Sequence, residues 1–235
     1  ERVVEPDGIA FNAAISACER GQAWEPALGL LHGLRRRGVA PSTVTFGAAV
    51  SAAEAGPRWD FACEVFREME GAGLLPNTVT YSAAASAFEK GLSWRCSLWA
   101  LCTMDQGSCP PNVITCNSVI GACEKCTRWE CAIAGLGAMQ RREVAASTIT
   151  QNAVAGALSK SRKWKAALDL VDGMLHGHST PNSVTYTLAI EACGARAGRA
   201  AVLALLKRFR TSVIIGVFRR VVGTAPPSGR IHASG

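Results

Sequence analysis

The sequence predicts an all-α solenoid built from helix–turn–helix repeats, because two residue types recur with one fixed period. Five of the six tryptophans lie 35 residues apart, at Trp24, Trp59, Trp94, Trp129 and Trp164. Proline recurs with the same spacing, and alanine fills one place in the series Pro6, Pro41, Pro76, Pro111, Ala146 and Pro181. Self-similarity at a period of roughly 20–50 residues is typical of stacked repeats. We therefore divide the chain into units of 35 residues.

Each unit is predicted to contain two amphipathic helices, here called helix A and helix B. Helix A carries apolar residues at i, i+4 and i+7, as in Tyr81, Ala85 and Phe88. Helix B begins at the tryptophan and carries a wider stripe, as in Trp164 and Val171. Both stripes have the helical period of about 3.6, and the closing proline prevents further helix. One such pair cannot bury its own stripe, so stacked units form a single body with the tryptophans buried between helices.

The repeat pattern also predicts how the chain is organised. Residues 1–7 are the end of a preceding repeat or a linker, and residues 8–182 form five complete units. Residues 183–210 form a sixth, degenerate or capping unit, and residues 211–235 form a disordered basic tail rich in Gly, Pro and Ser. The six units begin at Gly8, Thr43, Thr78, Val113, Thr148 and Ser183.

The positive charge of the chain is concentrated at its end. The net charge is +7, but residues 196–235 hold eight basic residues and no acidic one. Residues 1–195 therefore carry 17 basic and 18 acidic residues. Any attraction of this part to phosphate must come from a local arrangement of charges. No stretch approaches the 18 apolar residues of a membrane span, so no membrane partner is predicted.

No catalytic or metal-binding pattern is visible. Cys123 and Cys126 have a metal-like spacing but lack the second pair of a structural zinc site. Cys18 and Cys193 occupy the same place in their units as Cys123, which indicates small buried apolar residues rather than ligands or disulfides. The four histidines form no cluster with paired carboxylates, and no Gly-rich phosphate loop is present. We predict no enzyme activity, no metal, no cofactor and no small-molecule substrate, in a reducing compartment.

The segments after two of the prolines carry a family resemblance. Residues 76–82 read PNTVTYS and residues 181–187 read PNSVTYT. With the 35-residue period, these segments resemble the pentatricopeptide-repeat family with P-type repeats, over about residues 6–210. The resemblance implies a right-handed superhelix that binds single-stranded RNA, one base per repeat. It further implies RNA processing, stability or editing in a mitochondrion or chloroplast, together with other RNA-processing proteins.

The resemblance implies that the second residue of each unit sandwiches successive RNA bases. These six residues are all β-branched: Ile9, Val44, Val79, Ile114, Ile149 and Val184. Packing within the helix core is the alternative explanation. Because Ala or Leu would favour the helix more, the strict β-branching favours a functional role.

Base selection is implied for the fifth and last residues of each unit. The five complete units pair Asn12 with Ser42, Gly47 with Asn77, Ser82 with Asn112, Asn117 with Ser147, and Asn152 with Asn182. In the family, Asn with Ser is associated with cytosine, Ser with Asn with adenine, and Asn with Asn with a pyrimidine. Gly47 departs from the pattern, so the resemblance implies the sequence 5′-C-N-A-C-Y-3′, parallel to the chain. Helix capping would also explain the last residues, but not the asparagines inside helix A, where Asn is a poor helix former.

Basic residues recur near the end of helix A, and the resemblance implies that they face phosphates. They are Arg20, Lys90, Lys125 and Lys160. Compensation of the negative helix C-terminus is the alternative. The alternative for the whole chain is a protein-interaction scaffold of the tetratricopeptide type. A peptide groove gives no reason for Asn and Ser to recur at the fifth place, so the sequence favours RNA.

Overall fold

The computed structural model describes residues 8–21, 23–56, 58–106, 109–177, 179–194, 203, 205–207 and 210. Eleven helices lie within these residues, with turns between them and no strand. The A helices are α1 (Gly8–Arg20), α3 (Thr43–Ala55), α5 (Thr78–Lys90), α7 (Val113–Lys125), α9 (Thr148–Lys160) and α11 (Ser183–Cys193). The B helices are α2 (Trp24–Arg36), α4 (Trp59–Gly71), α6 (Trp94–Gln106), α8 (Trp129–Arg141) and α10 (Trp164–His176).

The helices follow the period of the sequence. Every A helix begins at the residue where the sequence placed the start of a unit, and every B helix begins at a recurring tryptophan. Residues 203, 205–207 and 210 are helical, where the second helix of the sixth unit was predicted. The linker at 1–7 and the tail at 211–235 lie outside the described residues.

The helices pack as a solenoid, so the predicted fold class is confirmed. Successive A helices pack against one another, and each B helix packs against the A helices of its own unit and of the next. The fourth residue of helix A supplies large core side chains, including Phe46 and Tyr81, and helix B supplies Met69 and Met139. No helix in the described part of the chain has the length and hydropathy of a membrane span.

The five tryptophans occupy equivalent places but are less buried than predicted. Trp59 is 40% exposed and the other four are partly buried. The reason is that each indole lies at the edge between units. Trp24 lies against Gly56, and Trp59 against Gly91, so closely that a Cβ at either glycine would overlap the ring. Cations from the following unit cover three of the indoles: Arg58 over Trp24 at 4.5 Å, Arg128 over Trp94 at 4.8 Å and Lys163 over Trp129 at 4.8 Å.

Candidate nucleic-acid interface

The second residues of the units form an exposed apolar stripe along the A helices. Their side chains are between 51% and 78% exposed: Ile9, Val44, Val79, Ile114, Ile149 and Val184. The core-packing alternative is therefore wrong for these residues. Scattered exposed apolar side chains are ordinary in proteins, but a row of them with one fixed spacing marks a contact surface.

The fifth and last residues of a unit lie together, because the last residue directly precedes the helix A that stacks on the previous one. Asn112 Nδ2 lies 3.1 Å from Ser82 Oγ, and Asn152 Nδ2 donates to Asn182 Oδ1 at 3.3 Å. Asn12 and Asn117 instead contact the threonine three residues after Ser42 and Ser147, respectively. The structure thus brings the members of each predicted base-selecting pair to the same junction between units.

The last residue of each complete unit also caps the next A helix. The side-chain oxygen accepts a hydrogen bond from the backbone N–H three residues later, at 3.2 Å for Ser42, 2.9 Å for Asn77 and 2.8 Å for Asn112. Ser147 and Asn182 make the same bond at 3.2 Å and 3.0 Å. The capping explanation is therefore correct for these five residues. Capping uses the side-chain oxygen, whereas the amide nitrogen of Asn112 donates to Ser82 Oγ at 3.1 Å and keeps a second N–H.

A recurring threonine contacts both members of four of the five predicted base-selecting pairs, and sequence reasoning missed it. The third residues of units two to six are Thr45, Thr80, Thr115, Thr150 and Thr185. All five are 1% exposed or less. The Thr150 hydroxyl donates to Asn117 Oδ1 at 2.7 Å, and the Thr185 hydroxyl donates to Asn152 Oδ1 at 2.6 Å. Recurrence with the 35-residue period was the available signal.

Three of the predicted phosphate-binding cations belong to a ladder of ion pairs between units. Lys90 Nζ lies 3.1 Å from Glu54 Oε1. Lys125 pairs with Glu89 at 3.0 Å and Lys160 pairs with Glu124 at 3.1 Å. Lys90 also donates to the Glu54 carbonyl at the end of α3, at 3.1 Å, so compensation of a helix end is present too. These pairs are exposed and individually weak, so a phosphate can compete for the lysines.

The ladder lies on the same side of helix A as the apolar stripe. The second and thirteenth residues of a helix are eleven residues apart, which places them on one line about 16 Å apart. The partner carboxylates also contact the next A helix. Glu89 Oε1 lies 2.6 Å from where a Cβ on Gly121 would stand, and Glu124 lies equally close above Gly156, at 2.7 Å. The two glycines therefore make room for the carboxylates.

Groups that could hold a metal lie elsewhere. Among the described residues, His32, Glu64 and Glu68 have ligand atoms within 4.8 Å of one another, on α2 and α4. Arg35 Nη1 already contacts Glu68 Oε1 at 2.6 Å, so a cation site there would compete with a guanidinium. Burial raises the pKa of the Cys123 thiol to about 12. No cysteine within the described ranges belongs to a group of three or more potential metal ligands.

These features define a helical-repeat protein with one polar junction per unit beside an exposed apolar stripe. Residues 29–90 match the model of the pentatricopeptide repeat domain. The structure is similar to that of PPR10 from maize, with a TM-score of 0.69 and 30% identity over 89% of this chain. Residues 29–90 thus carry pentatricopeptide repeats, and the chain as a whole is similar to PPR10, of whose length it spans 30%.

Two further solved structures share the fold at lower identity. Nuclear proteinaceous RNase P 2 from A. thaliana has a TM-score of 0.73 and 14% identity, over 83% of this chain and 44% of its own. The pentatricopeptide-repeat domain of protein-only RNase P 1 from Arabidopsis thaliana has a TM-score of 0.67 and 14% identity, over 80% of this chain and 98% of its own. No curated protein matches the chain by sequence.

Proposed function

We propose that this chain binds single-stranded RNA without catalysing a reaction, taking one base per unit along the stripe of second residues. The exposure of six β-branched side chains, one per unit, is the observation that carries the proposal. Flat apolar side chains spaced one per repeat can hold stacked bases apart, in the way that aromatic platforms do in other single-strand binders. Relatives support it, since PPR10 has been solved with an 18-nt psaJ RNA element at 20% identity and a TM-score of 0.60.

Base preference arises at the polar junctions. Units one and four each place an Asn beside a capping Ser, and unit five places Asn152 beside Asn182. In units one, four and five the oxygen of the fifth-position amide accepts from a threonine hydroxyl, which leaves the two N–H groups as donors. In unit five one of these N–H groups donates to Asn182 Oδ1, and the other is left for a base. Amide N–H donors match the acceptors on pyrimidine edges, which are the ring nitrogen and carbonyl oxygen of cytosine and the carbonyl oxygens of uracil. With the base associations that the family gives to these pairs, the preferred RNA would be 5′-C-N-A-C-Y-3′, and the second base would be unread because Gly47 has no side chain.

The lysines of the ladder would contact the RNA phosphates after their ion pairs with the carboxylates break. Lys90, Lys125 and Lys160 would exchange a half-buried carboxylate for a phosphate, and Arg20 would add a fourth cation. Following the family, the chain would act in RNA processing, stability or editing in a mitochondrion or chloroplast, with other RNA-processing proteins as partners.

Selection of binding sites from a random single-stranded RNA pool tests the proposal. We expect enrichment of C-N-A-C-Y in one orientation, with no preference at the second place. The matched control is the Val79→Ser, Ile114→Ser variant, which should fold like the wild type and bind RNA more weakly. A folded wild-type chain that enriches no sequence would overturn the proposal. Binding of peptides by the same surface would then favour the tetratricopeptide-like scaffold.

A further inference from the structure

The third residues of units two to six are buried threonines, so their hydroxyls must form hydrogen bonds inside the junction between units. Each hydroxyl has one proton to donate, and each is shielded from solvent. In unit six the backbone N–H of Asn182 donates to Thr185 Oγ1 at 3.1 Å, and in unit two the N–H of Ser42 donates to Thr45 Oγ1 at 3.0 Å. A backbone N–H can only donate, so these hydroxyls act as acceptors toward the backbone.

Because the threonine oxygen accepts a hydrogen bond from the backbone N–H, the threonine hydroxyl can in turn donate to the asparagine side chain. Since Thr185 Oγ1 accepts from the backbone, its own proton is directed to an oxygen, and the nearest is Asn152 Oδ1 at 2.6 Å. Thr45 makes the same contact with Asn12 Oδ1. The carbonyl oxygens of Asn12 and Asn152 are therefore held by the buried threonines, and the NH₂ group is at the other end of each amide. One N–H of Asn152 donates to Asn182 Oδ1 at 3.3 Å, which leaves the second N–H for a base. An isolated asparagine would have no such preference, because the two ends of its amide have nearly the same shape.

We propose that the third-place threonines are specificity-determining positioning residues: their hydroxyls hold the fifth-position amide of the preceding unit with its NH₂ group toward the base. The proposal rests on the proposed RNA binding and deepens it, because the base-reading set becomes three residues from two units. Loss of the hydroxyl leaves the amide free to turn its oxygen outward, so one unit would accept bases that present donors as well as acceptors.

Unit two provides a place where the positioning group exists without a reading side chain. Thr80 is buried, and its hydroxyl donates to the capping Asn77 Oδ1 at 3.0 Å. A Cβ on Gly47 would stand 3.4 Å from Thr80 Oγ1, which is an ordinary contact distance. Unit two therefore has room for an asparagine at the fifth place and already holds the threonine that would orient it.

The test is a gain of base preference that depends on the threonine. Gly47→Asn should change the second nucleotide from unread to pyrimidine-preferring, by roughly tenfold if the contact resembles other good base-edge pairs. Gly47→Asn with Thr80→Val should reduce that preference below about threefold, and Gly47→Asn with Thr80→Ser should retain it, since Ser keeps the hydroxyl. Affinities for four oligonucleotides that differ at the second base measure the effect, with thermal unfolding as the check on the fold.

A second variant covers the case in which Gly47→Asn disturbs α3. Thr150→Val should reduce the preference for cytosine at the fourth nucleotide and leave the preferences at the other nucleotides unchanged. Thr150→Ser should keep the preference for cytosine. A general loss of structure would instead weaken RNA binding at all nucleotides together. Unchanged discrimination in both valine variants, with wild-type binding intact, would overturn the positioning role. A wild-type chain that binds no RNA would instead overturn the proposed function.

Discussion

The second and fourth residues of helix A are both apolar, yet they lie in opposite environments. Phe46 is fully buried while Val44, two residues earlier, is 67% exposed, and Tyr81 and Val79 show the same contrast. Two residues are separated by about 200° around a helix, so one faces the core and the other faces outward. Burial explains the fourth residue. It does not explain why the second is β-branched in every unit, which points to a bound ligand.

The contrast predicts a large difference in stability between neighbouring truncations. Phe46→Ala should lower the free energy of unfolding by about 3–5 kcal/mol, because it leaves a cavity in the core. Val44→Ala should change it by less than about 0.5 kcal/mol, as surface substitutions do. Chemical denaturation of both variants measures the difference. Similar losses of stability in the two variants would mean that the second residue also belongs to the core.

Val44→Ala, which should hardly change the stability, should have a clear effect on RNA affinity. Val44→Ala should weaken binding of C-N-A-C-Y RNA toward the low end of the 1–3 kcal/mol range, about 1 kcal/mol, that a stacked base contributes. Wild-type affinity in the folded Val44→Ala variant would remove the ligand explanation for the exposed stripe.

Two glycines also differ in whether neighbouring atoms leave room for a Cβ. Gly91 has no room for a Cβ because the Trp59 ring lies against it, whereas Gly29 in α2 has no atom within 4 Å of its Cβ position. Gly91→Ala should lower the free energy of unfolding by about 1–3 kcal/mol through overpacking. Gly29→Ala should raise it by roughly 0.5–1 kcal/mol, because alanine favours a helix interior. Equal changes in the free energy of unfolding of the Gly91→Ala and Gly29→Ala variants, measured by chemical denaturation, would contradict the packing of Trp59 on Gly91.

The smallest effects on stability are expected in the ladder of ion pairs. Lys125→Ala and Glu89→Gln break the same exposed pair, so each should change stability by less than about 1 kcal/mol. Their effects on RNA should be opposite, since Lys125→Ala removes a phosphate partner and Glu89→Gln removes a competing carboxylate. Four cations on phosphates give a slope of about −3 for log affinity against log salt, and Lys125→Ala should reduce its size by about 0.7. An unchanged slope would leave Lys125 without a phosphate role.

The sequence predicted the helices because tryptophan and proline recur with one period, and Trp94 and Thr78 each begin a helix as expected. Contacts between units were harder to predict. The pairing of Lys125 with Glu89 depends on how far one helix is offset from the next, and a pattern within one unit does not contain that distance. The role of Thr150 was missed for the same reason, although its recurrence is visible.

Exchange of one base preference for another tests the central claim most directly. Asn112 Oδ1 accepts from the Thr115 N–H at 2.8 Å, while its NH₂ group donates to Ser82 Oγ at 3.1 Å. Asn112→Asp keeps the capping oxygen and replaces the NH₂ donor with an acceptor, and Asp caps a helix as well as Asn does. Affinities of both proteins for CUACU and CUGCU should show the third nucleotide changing from A to G, by about 1–3 kcal/mol, with unchanged stability and unchanged preference elsewhere. Two folded, RNA-binding proteins with the same preference at that nucleotide would mean that Asn112 caps α7 and reads no base.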